Sequence, residues 1–134
     1  KTDVAVYRSG LWYVFRSATQ SVSTVSFGLG GDLPVPADYD GDHKIDNAVY
    51  RNGQWHVLTS SDVQYLTLNF GLPTDIPTPA DFDGDGKTDV AVFRPSDSSW
   101  WIRNSADGSV NSFYFGLSTD TPLAMPIIPF DPTL

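Results

Sequence analysis

The sequence has no cysteine, no glutamate, one methionine and two histidines. Without cysteine there is no disulfide, no thiolate zinc site and no thiol nucleophile, so stability must come from packing or from bound metal. Without glutamate, all 16 acidic residues are aspartate, and no Glu is available as a general acid. Basic residues are also scarce. Lys and Arg together number 8, giving a formal charge of -8, which excludes the basic face that nucleic-acid phosphates require. Apolar runs are only a few residues long, too short for a membrane span, and the start carries no signal-peptide pattern. The first residue is Lys rather than Met, which reads as a processed or excised chain.

Catalytic patterns are missing as well. There is no Gly-x-Ser-x-Gly elbow, no His-x-x-x-His pair and no phosphate-binding glycine loop. His43 and His56 have no counterpart in the other repeats and join no triad. Paired aspartates could in principle hydrolyse glycosides, but their spacing here commits them to cation binding. The expectation is a protein that is not an enzyme.

What is present is a repeat. KTDVAVYR from Lys1, KIDNAVYR from Lys44 and KTDVAVFR from Lys87 stand 43 residues apart. Trp12 returns as Trp55 and, after a two-residue insertion in PSDSS, as Trp100. Phe27-Gly28-Leu29 returns as Phe70-Gly71-Leu72 and Phe115-Gly116-Leu117, and DLPVPADYDGD from Asp32 returns as DIPTPADFDGD from Asp75. A third such tract starts at Asp120 but departs after Pro122. With 134 residues and 40% hydrophobic content the chain is one repeat array, with units of approximately 1–31, 32–74 and 75–119 and a terminal closing strand in 120–134.

Within a unit, Val4–Tyr7, Trp12–Phe15 and Val22–Phe27 are rich in β-branched and aromatic residues and bounded by turn formers, so they read as strands. A shorter strand fits Leu33–Ala37, where Pro34 and Pro36 remove backbone donors and demand an edge. No window sustains a helical period. The fold class is therefore all-β, with three tandem four-stranded propeller-type blades. Such a unit cannot cover both faces of its own sheet, so each blade needs neighbours.

The tracts PADYDGDHKIDNAVYR and PADFDGDGKTDVAVFR, with the Phe-Gly pairs, resemble the bacterial VCBS and FG-GAP-like calcium-binding repeats, which are related to the blades of the integrin α-chain propeller. The resemblance implies a blade fold with calcium in a loop between the first and second strands.

Loop chemistry leads to the same ion. Asp81, Asp83, Asp85 and Asp89 take positions one, three, five and nine of a tight turn, where alternate residues point inward. Four carboxylates, the Lys87 carbonyl and a water supply the oxygens that Ca2+ requires, whereas Mg2+ avoids all-protein cages. Asp38, Asp40, Asp42, the Lys44 carbonyl and Asp46 form a second set. His43 stands where the other loop has Gly86, and if that position needs positive φ, His costs about 1 kcal/mol. The Asp38–Asp46 site is accordingly expected to be the weaker of the two. The alternative is solvated Asp-Gly turns without metal, in which four like charges repel.

Trp12, Trp55 and Trp100 recur at one strand position, which marks core rather than a sugar-stacking platform. Tyr13, His56 and Trp101 follow them on the opposite face, where packing again outweighs ligand binding. Arg8, Arg51 and Arg94 close the second strand of each unit and call for a repeated bond to a neighbouring carboxylate or carbonyl, with anion binding the alternative. Asp3 matches Asp46 and Asp89 without a preceding loop, and Pro126, Ile128 and Phe130 stand where a third loop would have aspartates.

Strands counted from Lys1 leave a first strand around Leu123–Pro126, so the chain reads as part of a larger propeller or of an assembly. Its expected partners are further repeats of a parent chain or copies of itself, together with a glycan or cell-surface protein. The functional expectation is a calcium-stabilised extracellular module for adhesion or recognition, carbohydrate included. The alternative is a structural subunit that exchanges terminal strands into a filament or ring.

Overall fold

The structure, a computed structural model, describes residues 2–125. Among them are eleven strands and no helix, hence no helix able to cross a membrane. The strands are β1 (Val4–Arg8), β2 (Leu11–Arg16), β3 (Ser21–Ser26), β4 (Leu33–Pro34), β5 (Asn47–Arg51), β6 (Gln54–Leu58), β7 (Tyr65–Asn69), β8 (Ile76–Pro77), β9 (Val90–Arg94), β10 (Ser99–Arg103) and β11 (Val110–Tyr114). They form three antiparallel sheets, ordered β1-β2-β3, β4-β5-β6-β7 and β8-β9-β10-β11. The protein is all-β and its sheets are blade-like.

Two of the tight hairpins follow from local sequence. Ser9-Gly10 and Asn52-Gly53 both have positive φ at each position, the backbone of a two-residue turn whose twist matches its strands. Arg8 consequently faces Leu11, and Arg51 faces Gln54. In the third unit the inserted residues lengthen the turn, and Ser98 takes the positive φ (60°). Its carbonyl accepts the Phe115 N–H at 3.0 Å, as those of Gly10 and Gly53 accept Phe27 and Phe70.

The proline-bearing strand is shorter than its residues imply. Only Leu33–Pro34 and Ile76–Pro77 pair as strands, with isolated bridges Ala37–Asp46 and Ala80–Asp89 beyond them. Pro36 has no N–H to extend the ladder, and β4 and β8 sit at sheet edges where that lack is tolerated. Leu123–Met125, the described part of the expected closing strand, carries no strand; the rest of 120–134, with Pro126, Ile128 and Phe130, lies outside the described residues.

Packing repeats with the sequence. Trp12, Trp55 and Trp100 are buried, and each indole N–H donates to the carbonyl of Phe27, Phe70 or Phe115 at 2.9 Å. Each indole also meets an aromatic ring of the preceding strand, Tyr7, Tyr50 or Phe93, at 5.0–5.3 Å between centroids. They are core residues. Ala48, Tyr50, Trp55 and Val57 of the second sheet pack against Val90 and Val92 of the third, with Trp101 at the margin. This apolar burial between sheets is the main source of stability, since neither sheet covers that face alone.

Candidate metal centres

The two Asp loops leave β4 and β8 and lead into β5 and β9. In the first, Asp38 Oδ1 accepts the N–H groups of Gly41 (2.7 Å) and Asp42 (3.2 Å), and Oδ2 accepts that of His43 (2.8 Å). Asp40 Oδ1 accepts Asp42 N–H at 3.1 Å, and Asp42 Oδ1 accepts Lys44 N–H at 2.9 Å. The second loop repeats this bond for bond. Asp81 holds Gly84, Asp85 and Gly86; Asp83 holds Asp85; Asp85 holds Lys87. Short aspartates that bond to their own backbone two to five residues ahead wind the loop and aim its carboxylates inward.

Three carboxylates converge in each loop. One oxygen from each of Asp38, Asp40 and Asp42 lies within 4.8 Å of the others, and the same holds for Asp81, Asp83 and Asp85. Oxygens bound at ~2.3–2.6 Å to one Ca2+ stand no farther apart than about 5 Å, so both triads have the spacing to hold an ion.

The fourth aspartate of each loop lies outside that cluster. Asp46 and Asp89 are fully buried, and both oxygens of each accept backbone N–H groups. Asp46 takes Tyr39 and Ser60, both at 2.9 Å; Asp89 takes Phe82 at 2.8 Å and Ser105 at 2.7 Å. Each thus ties its loop to the far hairpin of the same sheet. Asp3 takes the same kind of bond from Ser17 N–H at 2.8 Å. Lys44 and Lys87 enter the described contacts through their N–H groups.

The electrostatics are those of crowded carboxylates. Partial desolvation, then the charges of Asp46 and Asp42, raises the Asp40 pKa, and desolvation with Asp89 and Asp85 does the same to Asp83. Bonds from Ser61 and the Lys44 N–H lower Asp42, and three loop amides help to lower Asp81, Gly86 first. A cation bound at either triad would supply the missing opposite charge.

The loops differ in three respects. His43 has φ 68°, where Gly86 has 88°, so the left-handed conformation is present and only the second loop has the residue suited to it. Asp42 also accepts a bond from the Ser61 hydroxyl, and the first loop is half-buried where the second is exposed. The loops touch. Thr88 N–H donates to the Asp38 carbonyl at 2.9 Å, and the Lys87 side chain lies over Gly41.

The arginines find their partners in aspartates that spacing alone did not single out. Arg51 grips Asp32 with Nε and Nη2, both at 2.6 Å, and Arg94 grips Asp75 at 3.0 and 2.9 Å. The Arg51 bond is the main cause of the lowered Asp32 pKa. The discoverable signal was an Asp-x-Pro tract with an Arg 19 residues on, in two units. Arg8 has no carboxylate partner among the described residues and lies over the Tyr13 ring at 5.1 Å. Of the residues on that same face, Trp101 sits under Arg94, while His56 stacks on Tyr65 and bonds its hydroxyl at 2.6 Å. Val49, Arg51, His56 and Tyr65 line one side of a 190 Å³ cleft whose other side is Phe27-Gly28-Leu29.

Three blade-like sheets carry, in the two complete repeats, an acidic loop whose Asp triad could hold a metal ion. Residues 76–110 match the FG-GAP repeat family, and they span β8 to the start of β11. The second unit carries the same loop, tryptophan and Phe-Gly turn. No curated protein and no solved structure matches the chain.

Proposed function

We propose that the chain is a calcium-stabilised, non-catalytic array of FG-GAP units serving extracellular adhesion or recognition, with a glycan or a cell-surface protein as ligand. The observation that carries the cation is the duplicated triad, in which two copies of one loop reach the same hydrogen-bond pattern and the same oxygen spacing. The Lys44 and Lys87 carbonyls and water supply the further oxygens of each shell, while Asp46 and Asp89, outside the triads, hold the loops through their amide bonds. Calcium then neutralises each loop at the corner where it enters the central strand, so binding free energy becomes folding free energy. Weak loops of this kind fill at the millimolar calcium found outside cells, which supports the extracellular address. The Asp38–Asp46 site is the weaker, because His43 occupies a left-handed position and Ser61 competes for Asp42.

The test is calorimetric titration of the metal-stripped chain with Ca2+, alongside thermal unfolding. Two sites of unequal affinity are expected, with Asp83→Asn removing the tighter and Asp40→Asn the weaker. A chain that takes up no calcium, or whose melting is the same in calcium and in chelator, overturns the reading. The ligand class is tested apart from the ion, by glycan-array binding in calcium; lack of glycan binding leaves protein recognition as the reading.

A further inference from the structure

We propose that the two acidic loops fill cooperatively, and that Lys87 of the second loop is a positioning residue for the first. This coupling rests on the calcium reading above and goes beyond it, because it concerns what joins the two sites. One peptide group makes the join. The Lys87 carbonyl belongs to the proposed shell of the second loop. On the other side of the same peptide bond, Thr88 N–H donates at 2.9 Å to the carbonyl of Asp38, the first residue of the first loop's triad. That peptide is trans and planar, with its C=O and N–H pointing opposite ways. The orientation that turns the carbonyl into one loop therefore turns the amide towards the other.

Lys87 makes a second link through its side chain. A Cβ on Gly41 would lie 2.9 Å from Lys87 Cγ, 3.3 Å from Cε and 3.7 Å from the Gly86 carbonyl oxygen. Gly41 stands between Asp40 and Asp42 and gives its N–H to Asp38 Oδ1 at 2.7 Å, so the stem rests on the part of the loop that sets the triad. Asp38, Asp40, Gly41 and Asp42 are all half-buried, while Lys87 itself is exposed. A long aliphatic stem can cover a neighbour in this way and keep its ammonium in water. Among the described residues Lys87 forms no ion pair, so it acts on the first loop by packing rather than by charge.

Ordering either loop fixes the Lys87–Thr88 peptide and the Lys87 stem, and so leaves less of the other loop to be ordered when its own ion binds. Coordination of the Lys87 carbonyl would also polarise its peptide and strengthen the Thr88 bond to Asp38. Charge acts in the opposite sense, because a divalent cation in one loop lowers the pull on a second cation nearby. The sign of the coupling therefore separates contact from charge. Coupling between binding sites is reciprocal, so the Asp81–Asp89 loop, filling first, tightens the Asp38–Asp46 loop by the same factor that it gains in return.

Calorimetric titration of the whole chain with Ca2+ tests this, set against Asp83→Asn and Asp40→Asn, which leave one working loop each. The overall constant for filling both loops should exceed the product of the two single-loop constants about fivefold, the low end of coupling between sites. Lys87→Ala, which keeps the carbonyl and the Thr88 amide, should weaken the step that fills the Asp38–Asp46 loop about threefold, the worth of roughly one buried methylene. Lys87→Met, which keeps the stem without the charge, should restore it. Calcium bound in both loops with an overall constant equal to that product, or below it, overturns the proposal and leaves the calcium reading standing. A Lys87→Ala chain whose first loop binds as tightly as before, or more tightly, overturns the positioning role. A chain that takes up no calcium overturns the calcium reading, and the coupling with it.

Discussion

At the scale of single residues, two positions give opposite lessons about conformation and charge. His43 adopts a left-handed backbone (φ 68°) that a Cβ resists, so His43→Gly should stabilise the chain by about 1 kcal/mol, and Gly86→His should cost a similar amount. Paired melting curves with and without calcium check both, and an unchanged midpoint for His43→Gly would remove the basis for ranking the sites. Asp32 is a charge case. Its pKa is lowered, chiefly by the Arg51 bond, so its contribution is complete above the ordinary carboxylate range near pH 4 and fades as pH falls through the folded-state value. Asp32→Asn should therefore cost about 2 kcal/mol at neutral pH, and the gap to the native chain should close on acidification below about pH 4. Equilibrium unfolding at a series of pH values measures it. A gap that stays constant into acid would show that packing, not the ion pair, sets the cost.

At the scale of strands and turns, most of the architecture could be read from the 43-residue period, because period, β-branched runs and Gly turns all report local backbone preference. What could not be read depends on neighbours. The length of β4 is set by how many residues find ladder partners on β5, and the Arg51–Asp32 and Arg94–Asp75 pairs arise only once Leu33 faces Tyr50 and Ile76 faces Phe93. The loop aspartates divide for a similar reason. Asp38, Asp40 and Asp42 are placed by bonds within their own loop, whereas Asp46 is claimed by the Ser60 amide 14 residues away. The hairpins also carry a prediction. A Cβ on Gly53 would stand 2.6 Å from the Gly71 carbonyl oxygen, a backbone atom with little room to shift, whereas one on Gly84 meets nothing within 4 Å. Both glycines have positive φ, so Gly84→Ala should cost about 1 kcal/mol from conformation alone and Gly53→Ala at least twice that. Chemical denaturation of the two variants compares them directly, and equal costs would mean that the turn relaxes around the clash.

At the scale of the whole molecule, the three sheets are alike in sequence and unequal in surroundings. The second sheet has a neighbour on each face, and the third shares its inner face with the apolar cluster that contains Tyr50, Trp55 and Val92. Among the described residues the first sheet packs on one side only, through Phe27 and Gly28 against Tyr65 and Val49. Stability in stacked repeats is close to a sum of unit and nearest-neighbour terms, so a unit with one neighbour term opens more readily than one with two. Amides of β1 and β3 should therefore exchange hydrogen faster than those of β5, β6, β9 and β10, with local opening free energies lower by about 1–3 kcal/mol. Asp3 moderates this by holding Ser17, and Trp12 by holding Phe27, but neither replaces apolar cover over Val4 and Val6. Uniform exchange across the three sheets would mean that the array unfolds as one cooperative unit, with the exposed valines costing less than their surface implies.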